Sequence, residues 1–286
     1  MLHQQNESPT SQDVVKVIET TNQGIRSINL SRIAIGYVVR GRKVLYHNDV
    51  GTEIGEGGVF LLGLGVHYEE NISLSEGFEQ ILFYISPQTL QQTIISLSSN
   101  YGIACDSKHT CERCHYANYL VARPTPAQRD FFAGINHSFR RSDFRNDEVD
   151  RRIKLNELIY LILSGEDECL RAMLLGFADV VNGQFAREVY NNLFNDVTIE
   201  ALARKTNRSL TSFKKEFRRQ FAVPPHKWLI DQRLQRAKIL LMSTNLTISE
   251  IGAECSFSNI SHFIKLFKHR FNDTPAAMRR KSRAAM

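Results

Sequence analysis

TIEALARKTNRSLTSFKKEFRRQFAVPP (residues 198–225) and TISEIGAECSFSNISHFIKLFKHRFNDTP (residues 247–275) are two copies of one pattern. Thr198-Ile199 recurs 49 residues later as Thr247-Ile248, and Phe213, Phe217, Phe221 and Pro225 recur 50 later as Phe263, Phe267, Phe271 and Pro275. The one-residue difference falls between the two sets, where a turn absorbs it. In each copy a short helix starts at a threonine cap. A brief turn follows, at Asn207-Arg208 or Ser256-Phe257-Ser258. A second helix then starts at Ser209 or Asn259 and sets phenylalanines four apart on one face. Short helix, turn and second helix make a helix-turn-helix. Between the copies, Pro224 to Met242 carries Trp228, Leu229, Ile230, Leu234, Ala237, Leu240 and Leu241 at helical spacing. This long helix would set the separation of the two units, and recognition helices on one face of a duplex should sit about 34 Å apart.

Charge supports a polyanionic partner for this half. From Phe185 to the end there are 19 Lys/Arg against 8 Asp/Glu, a net +11, while the preceding residues carry net −5. With the phenylalanines turned inward, the second helix of the first copy presents Leu210, Thr211, Lys214, Lys215 and Arg218 outward, after its cap Ser209. The second copy presents Ile260, Ser261, Ile264, Lys265 and Lys268, with His262 at the margin and Asn259 as cap. Thr and Ser can hydrogen-bond base edges, Lys can reach guanine acceptors, and Ile can touch a thymine methyl. Arg218, Arg219, Lys268 and Arg270, later in these helices, suit phosphates.

These residues resemble the AraC/XylS family of bacterial transcription regulators from about Phe185 to Lys281. The resemblance rests on Arg233-Leu234-x-x-Ala237-x-x-Leu240-Leu241, on Ile248-x-x-Ile251-Gly252, and on Phe263-x-x-x-Phe267-Lys268-x-x-Phe271-x-x-Thr274-Pro275. It implies that Thr211, Lys214 and Lys215 in the first unit, and Ser261, His262 and Lys265 in the second, face bases. One position departs from the pattern: Ser256 stands where the family usually has Gly before Phe257. A positive φ there would strain a serine.

The first half reads differently. Residues 1–26 form a polar arm without an apolar signal segment. Ile33, Ile35, Tyr37 and Val39 alternate at period two, Arg40-Gly41-Arg42-Lys43 reads as a turn, and Val44-Leu45-Tyr46 as a returning strand. Gly55, Gly57 and Gly58 precede the run Val59–Leu62, and Ile81–Ile85 is another apolar run. Short strands with Gly-rich turns suggest a small antiparallel barrel. Ser86-Pro87 opens a helix, and further helices are expected near 125–140 and 148–164, with a short apolar segment at Leu170–Phe177. This half resembles the family's cupin-like sensing and dimerisation domain. The expected fold is therefore α+β and multidomain. A cupin-like antiparallel β-barrel with dimerisation helices occupies 27–177, a linker 178–184, and an all-α domain of two helix-turn-helix units 185–286.

The resemblance implies a DNA-binding transcription regulator, an activator in sign, acting on promoter DNA as a homodimer with RNA polymerase and answering a small-molecule or protein effector. The run Pro225-His226-Lys227-Trp228-Leu229 is also similar to activators of type III secretion genes, some of which answer a protein partner. An N-terminal interaction module under a partner protein, or a cysteine-based zinc or redox switch, is the alternative. Cys105, His109, Cys111, Cys114 and His115 lie within eleven residues, so ordinary reduced cysteines, zinc ligation and thiol chemistry all stay open. Cys169 and Cys255 read as core fillers. His47 and His67 belong to no His-x-His pair, so no cofactor and no metal is assigned to the barrel. The sequence has no P-loop, GxGxxG or GxSxG, and no enzyme reading stands on it. No stretch is apolar enough to span a bilayer, and the expected location is the cytoplasm.

Overall fold

The computed structural model describes residues 13–47, 50–104, 109, 111, 118–141, 147–178, 185, 188–189, 192–193, 195 and 197–284. The chain divides into two compact units, Met1–Arg187 and Glu188–Met286. The strands described in the first unit are β1 (Val14–Glu19), β2 (Arg26–Leu30), β3 (Ile33–Arg40), β4 (Arg42–His47), β5 (Val50–Ile54), β6 (Val59–Leu62), β7 (Gly65–Ile72), β8 (Phe78–Ile85) and β9 (Tyr119–Ala122). Its helices are α1 (Pro87–Tyr101), α2 (Pro126–Arg140), α3 (Glu148–Leu163) and α4 (Glu168–Phe177).

Strand β3 explains the layering. Its side chains are apolar on both faces, so both faces must be covered. It pairs antiparallel with β6 and β8 at the centre of a five-stranded sheet of order β1-β8-β3-β6-β9. Ile33 and Ile35 face one core together with Phe83, Leu90, Phe132, Leu158 and Leu174, where α1 to α4 cover the sheet. Ala34 and Val38 face the other core with Leu45, Ile54, Phe60 and Phe78, against a second sheet of order β2-β7-β4-β5. Each buried large apolar side chain contributes about 1.5–3 kcal/mol.

The expected barrel is corrected: the two sheets do not close on each other. β3 spends both edges on β6 and β8, and β4 spends both on β5 and β7, so no ladder joins consecutive strands β3 and β4 across their tight turn. That turn is one residue, Gly41 at φ +81°, and Arg40, Arg42 and Lys43 belong to the strands. An added Cβ at Gly41 would lie 2.8 Å from the Ile72 carbonyl oxygen. Lys43 is fully buried, its ammonium 2.5 Å from Glu69 and 2.9 Å from Asn71. Arg26 also reaches Glu69 at 2.8 Å. Burial pushes the Glu69 carboxyl up, but Lys43 and Arg26 together hold it below the ordinary carboxylate value. Within the stretch expected as a polar arm, Val14–Glu19 is a strand on β8, with Val14 buried. Its β-branched residues match the pleat.

The helices follow their caps. Ser86 accepts from the Thr89 amide and Pro87 opens α1, while Thr125 and Gln128 form a reciprocal capping box at α2. The second unit is all-helical: α5 (Ile199–Lys205), α6 (Leu210–Phe221), α7 (Pro225–Ser243), α8 (Ile248–Glu254), α9 (Ile260–Phe271) and α10 (Pro275–Ala284). Nineteen residues make α7 about 28 Å long, and it packs against α6, α8, α9 and α10.

Candidate nucleic-acid interface

The sequence repeat is a repeat of geometry. Thr198 accepts from the Ala201 amide and Thr247 from the Glu250 amide, opening α5 and α8. Glu250 reaches back to the Thr247 amide at 2.7 Å, and those bonds hold its carboxyl below the ordinary value. Both first helices end in the left-handed region, Asn207 at φ +53° and Ser256 at φ +58°. The next amides close the turns alike: Arg208 N–H donates to the Ala203 carbonyl and Phe257 N–H to the Gly252 carbonyl, each at 2.9 Å. The extra residue of the second copy is Ser258, which stands between Phe257 and the cap Asn259, whereas Ser209 follows Arg208 directly.

The second helices match in the same way. Phe213, Phe217, Phe263 and Phe267 are fully buried, and the ring spacing is 5.7 Å for Phe213–Phe217 and 5.7 Å for Phe263–Phe267. Both helices stop at a left-handed residue, Ala222 at φ +60° and Asn272 at φ +55°. Trp228 packs on Phe217 and Phe221 in the first unit. In the second, Leu234, Ala237 and Leu241 of α7 join Ile251, Cys255, Phe263 and Phe267.

With the phenylalanines inside, the opposite face is exposed. Thr211, Lys214, Lys215 and Arg218 are exposed on α6, and Ser261, His262, Lys265 and Lys268 on α9. Ser209 and Asn259 are exposed, but their side-chain oxygens accept from the Ser212 and His262 amides and so serve the helix starts. Leu210 is half-buried. Ile260 and Ile264 are also half-buried and pack on the core of the second unit. A Cβ on Gly252 would come within 2.9 Å of the Ile260 side chain, so Ile260 fills the notch that the glycine leaves. Two arginines expected on phosphates also pair within the unit: Arg219, itself exposed, with Glu216 three residues earlier on α6 at 2.6 Å, and Arg270 with Asp231 of α7 at 2.5 Å.

Sequence reasoning missed the part of Arg233. From α7 its guanidinium donates to the carbonyls of Leu193 (3.1 Å), Asn195 (3.0 Å) and Ser256 (3.1 Å). It therefore ties the approach to α5 and the turn of the second unit to one helix. The apolar and basic pattern of the sequence does not reveal such carbonyl contacts.

Of the cysteines, Cys255 fills the core as expected, and burial pushes its thiol up to about 12. Cys169 does not stand alone: its sulfur lies beside His109 and Cys111. Cys105, Cys114 and His115 fall outside the described residues. His67 is buried with its ring on the Gly63 carbonyl, and no metal-ligand cluster includes it among the described residues. No described helix is long and apolar enough to cross a membrane.

Comparison with known proteins agrees with this geometry. Residues 202–281 match a helix-turn-helix domain family. The virulence regulon transcriptional activator VirF of Yersinia enterocolitica is 26% identical over 140 residues, 49% of this chain and 51% of VirF. The transcriptional regulator ExsA of Pseudomonas aeruginosa is 26% identical over 128 residues, 44% of this chain and 46% of ExsA. The chain thus spans about half the length of the curated relatives it matches. The crystal structure of apo ToxT from Vibrio cholerae shares the fold, with a TM-score of 0.51 at 12% identity over 92% of this chain and 96% of that one. VirF and ExsA are transcription regulators by name.

Proposed function

The chain belongs to the AraC/XylS family of helix-turn-helix transcription regulators, and on that premise we propose that it binds promoter DNA sequence-specifically and activates transcription. The observation that carries this reading is the duplicated unit, matched in caps, in left-handed turn residues and in phenylalanine spacing, with an exposed basic face on each second helix. α6 and α9 enter successive stretches of major groove. Thr211, Lys214, Lys215, Ser261, His262 and Lys265 reach base edges, while Arg218 and Lys268 hold phosphates. Leu210 and Ile260 touch DNA only with the part of the side chain that the core leaves exposed.

The first unit senses and dimerises. On α3, Val149, Ile153 and Tyr160 are exposed and lie within one narrow arc of the helix, an apolar stripe that a second copy would cover. An effector, small molecule or protein, would shift the balance of dimer arrangements and so the occupancy of paired sites. Ile153→Glu should turn a dimer into a monomer in sedimentation.

Selection of the full chain on random duplexes at moderate salt tests the reading. Enrichment of a motif with two blocks about one helical turn apart supports it. No enriched duplex overturns it.

A further inference from the structure

In the first unit three metal-ligating side chains converge from stretches of chain about 60 residues apart. His109 and Cys111 lie between α1 and β9, and Cys169 is the second residue of α4. His109 Nε2 is 3.3 Å from Cys111 Sγ and 3.2 Å from Cys169 Sγ, and the two sulfurs are 3.6 Å apart. All three donor atoms fall within 4.8 Å of one another. A zinc ion with Zn–S of about 2.3 Å and Zn–N of about 2.0 Å sets tetrahedral edges of about 3.8 Å between sulfurs and about 3.5 Å from sulfur to nitrogen. The three edges here are each within a few tenths of an ångström of those values, so a small spreading of the triangle seats the ion.

The donor chemistry agrees. Two thiols and an imidazole are soft or borderline ligands, which suit zinc and not magnesium or calcium. Cys169 is buried and belongs to the helix-facing core, and Cys111 packs against that same core.

We propose that His109, Cys111 and Cys169 form a zinc site whose ion ties the segment before β9 to the start of α4. Three protein ligands leave one tetrahedral position for water or a further donor. The bound ion links the five-stranded sheet to the helices that cover it, a structural role that contributes to folding free energy.

The test uses the full chain purified under reducing conditions without chelator. Elemental analysis should find zinc at about one per chain. His109→Ala and Cys111→Ser, at half-buried positions, should lower zinc to background while far-UV circular dichroism keeps the wild-type shape. Cobalt added to stripped wild-type protein should give the thiolate-to-cobalt charge-transfer band and the intense visible bands of a tetrahedral site, and Cys169→Ser should lose them. A chelator should lower the melting temperature of the wild type and leave that of the His109→Ala/Cys111→Ser double variant unchanged. Wild-type protein with neither zinc nor a cobalt spectrum overturns the proposal, as does copper or iron in its place. Zinc retained in full by both cysteine variants overturns it by placing the ion elsewhere, and a Cys111–Cys169 disulfide in metal-free protein replaces it with thiol chemistry.

Discussion

The Arg233 guanidinium donates to the carbonyl of Ser256 at 3.1 Å, and Ser256 itself sits at φ +58° in the turn between α8 and α9. A residue in the left-handed region without glycine's freedom is thus held by a cation from the central helix. Two opposing terms meet here: the Cβ cost of the left-handed conformation, about 1 kcal/mol, and charge-assisted hydrogen bonds of about 1.5–3 kcal/mol. Ser256→Gly should raise stability by about 0.5–1 kcal/mol, because the native φ suits glycine. Arg233→Met should lower it by about 2 kcal/mol through three lost carbonyl contacts. Urea unfolding of the full chain measures both, and equal effects of opposite sign are not expected. A destabilising Ser256→Gly would show that the serine side chain has a role beyond backbone geometry.

On DNA, Lys214→Ala or Lys265→Ala should cost about 1–3 kcal/mol and relax preference at one base pair. Lys268→Ala should weaken all duplexes alike and reduce the salt slope by about 1. Ile260→Ala should mainly lower thermal stability, since that side chain packs beside Gly252 and the core of the second unit. Binding curves on the selected site, its single-base variants and an unrelated duplex, at three salt concentrations, separate these outcomes. Identical losses on every duplex for Lys214→Ala would move that residue to the phosphate set.

His67 makes the first unit sensitive to acid. It is buried, and since a carbonyl can only accept, its Nε2–H donates to the Gly63 carbonyl at 2.8 Å. Burial pushes its pKa down to about 4, with the Gly63 bond and Glu69 opposing and His47 and Lys43 adding to the shift. The unfolded chain takes up this proton near pH 6.5 and the folded chain does not until about pH 4. Stability is therefore full above pH 6.5 and falls as pH drops toward 4, by about 3 kcal/mol in total. Glu69, held below 4.5, adds its loss only at still lower pH. Denaturant melts from pH 7 to 4 should show this slope in the wild type and a shallower one in His67→Gln. A flat wild-type profile between pH 6.5 and 5 would contradict it.

Gly36 of β3 lies directly opposite Phe60 of β6, and the Phe60 ring fills the place of a side chain: a Cβ on Gly36 would be 2.0 Å from the Phe60 Cζ. Gly36→Ala should cost about 3 kcal/mol, since Phe60 is fully buried in the core between the sheets. Thermal melting measures this, and Gly36→Ala combined with Phe60→Leu should recover part of the loss. A melting temperature unchanged by Gly36→Ala would show that the sheets can part locally at little cost.

The helices of the second unit were legible because their signals are local. Thr198, Ser209, Thr247 and Asn259 cap within three residues of themselves, and phenylalanines four apart need one turn of helix to share a face. The repeat also predicted where the odd residue goes, and Ser258 stands there. The strands Ile33–Arg40 and Phe78–Ile85 were legible, the first from the alternation of Ile33, Ile35, Tyr37 and Val39 and the second from the apolar run Ile81–Ile85. Their partners were not, because pairing joins residues tens of positions apart, and the separation of the two sheets depends on which edges are already spent. By itself the sequence determined the duplicated helical unit and its exposed basic face, but it also set Leu210, Ile260 and Ile264 outward, and these are half-buried. The tertiary structure alone decided that Arg270 of α9 is held by Asp231 of α7, that Ile260 fills the notch at Gly252, and that His109, Cys111 and Cys169 meet. Each of these is a through-space contact between residues on separate helices, strands or loops, set by packing and invisible to the spacing of any one segment.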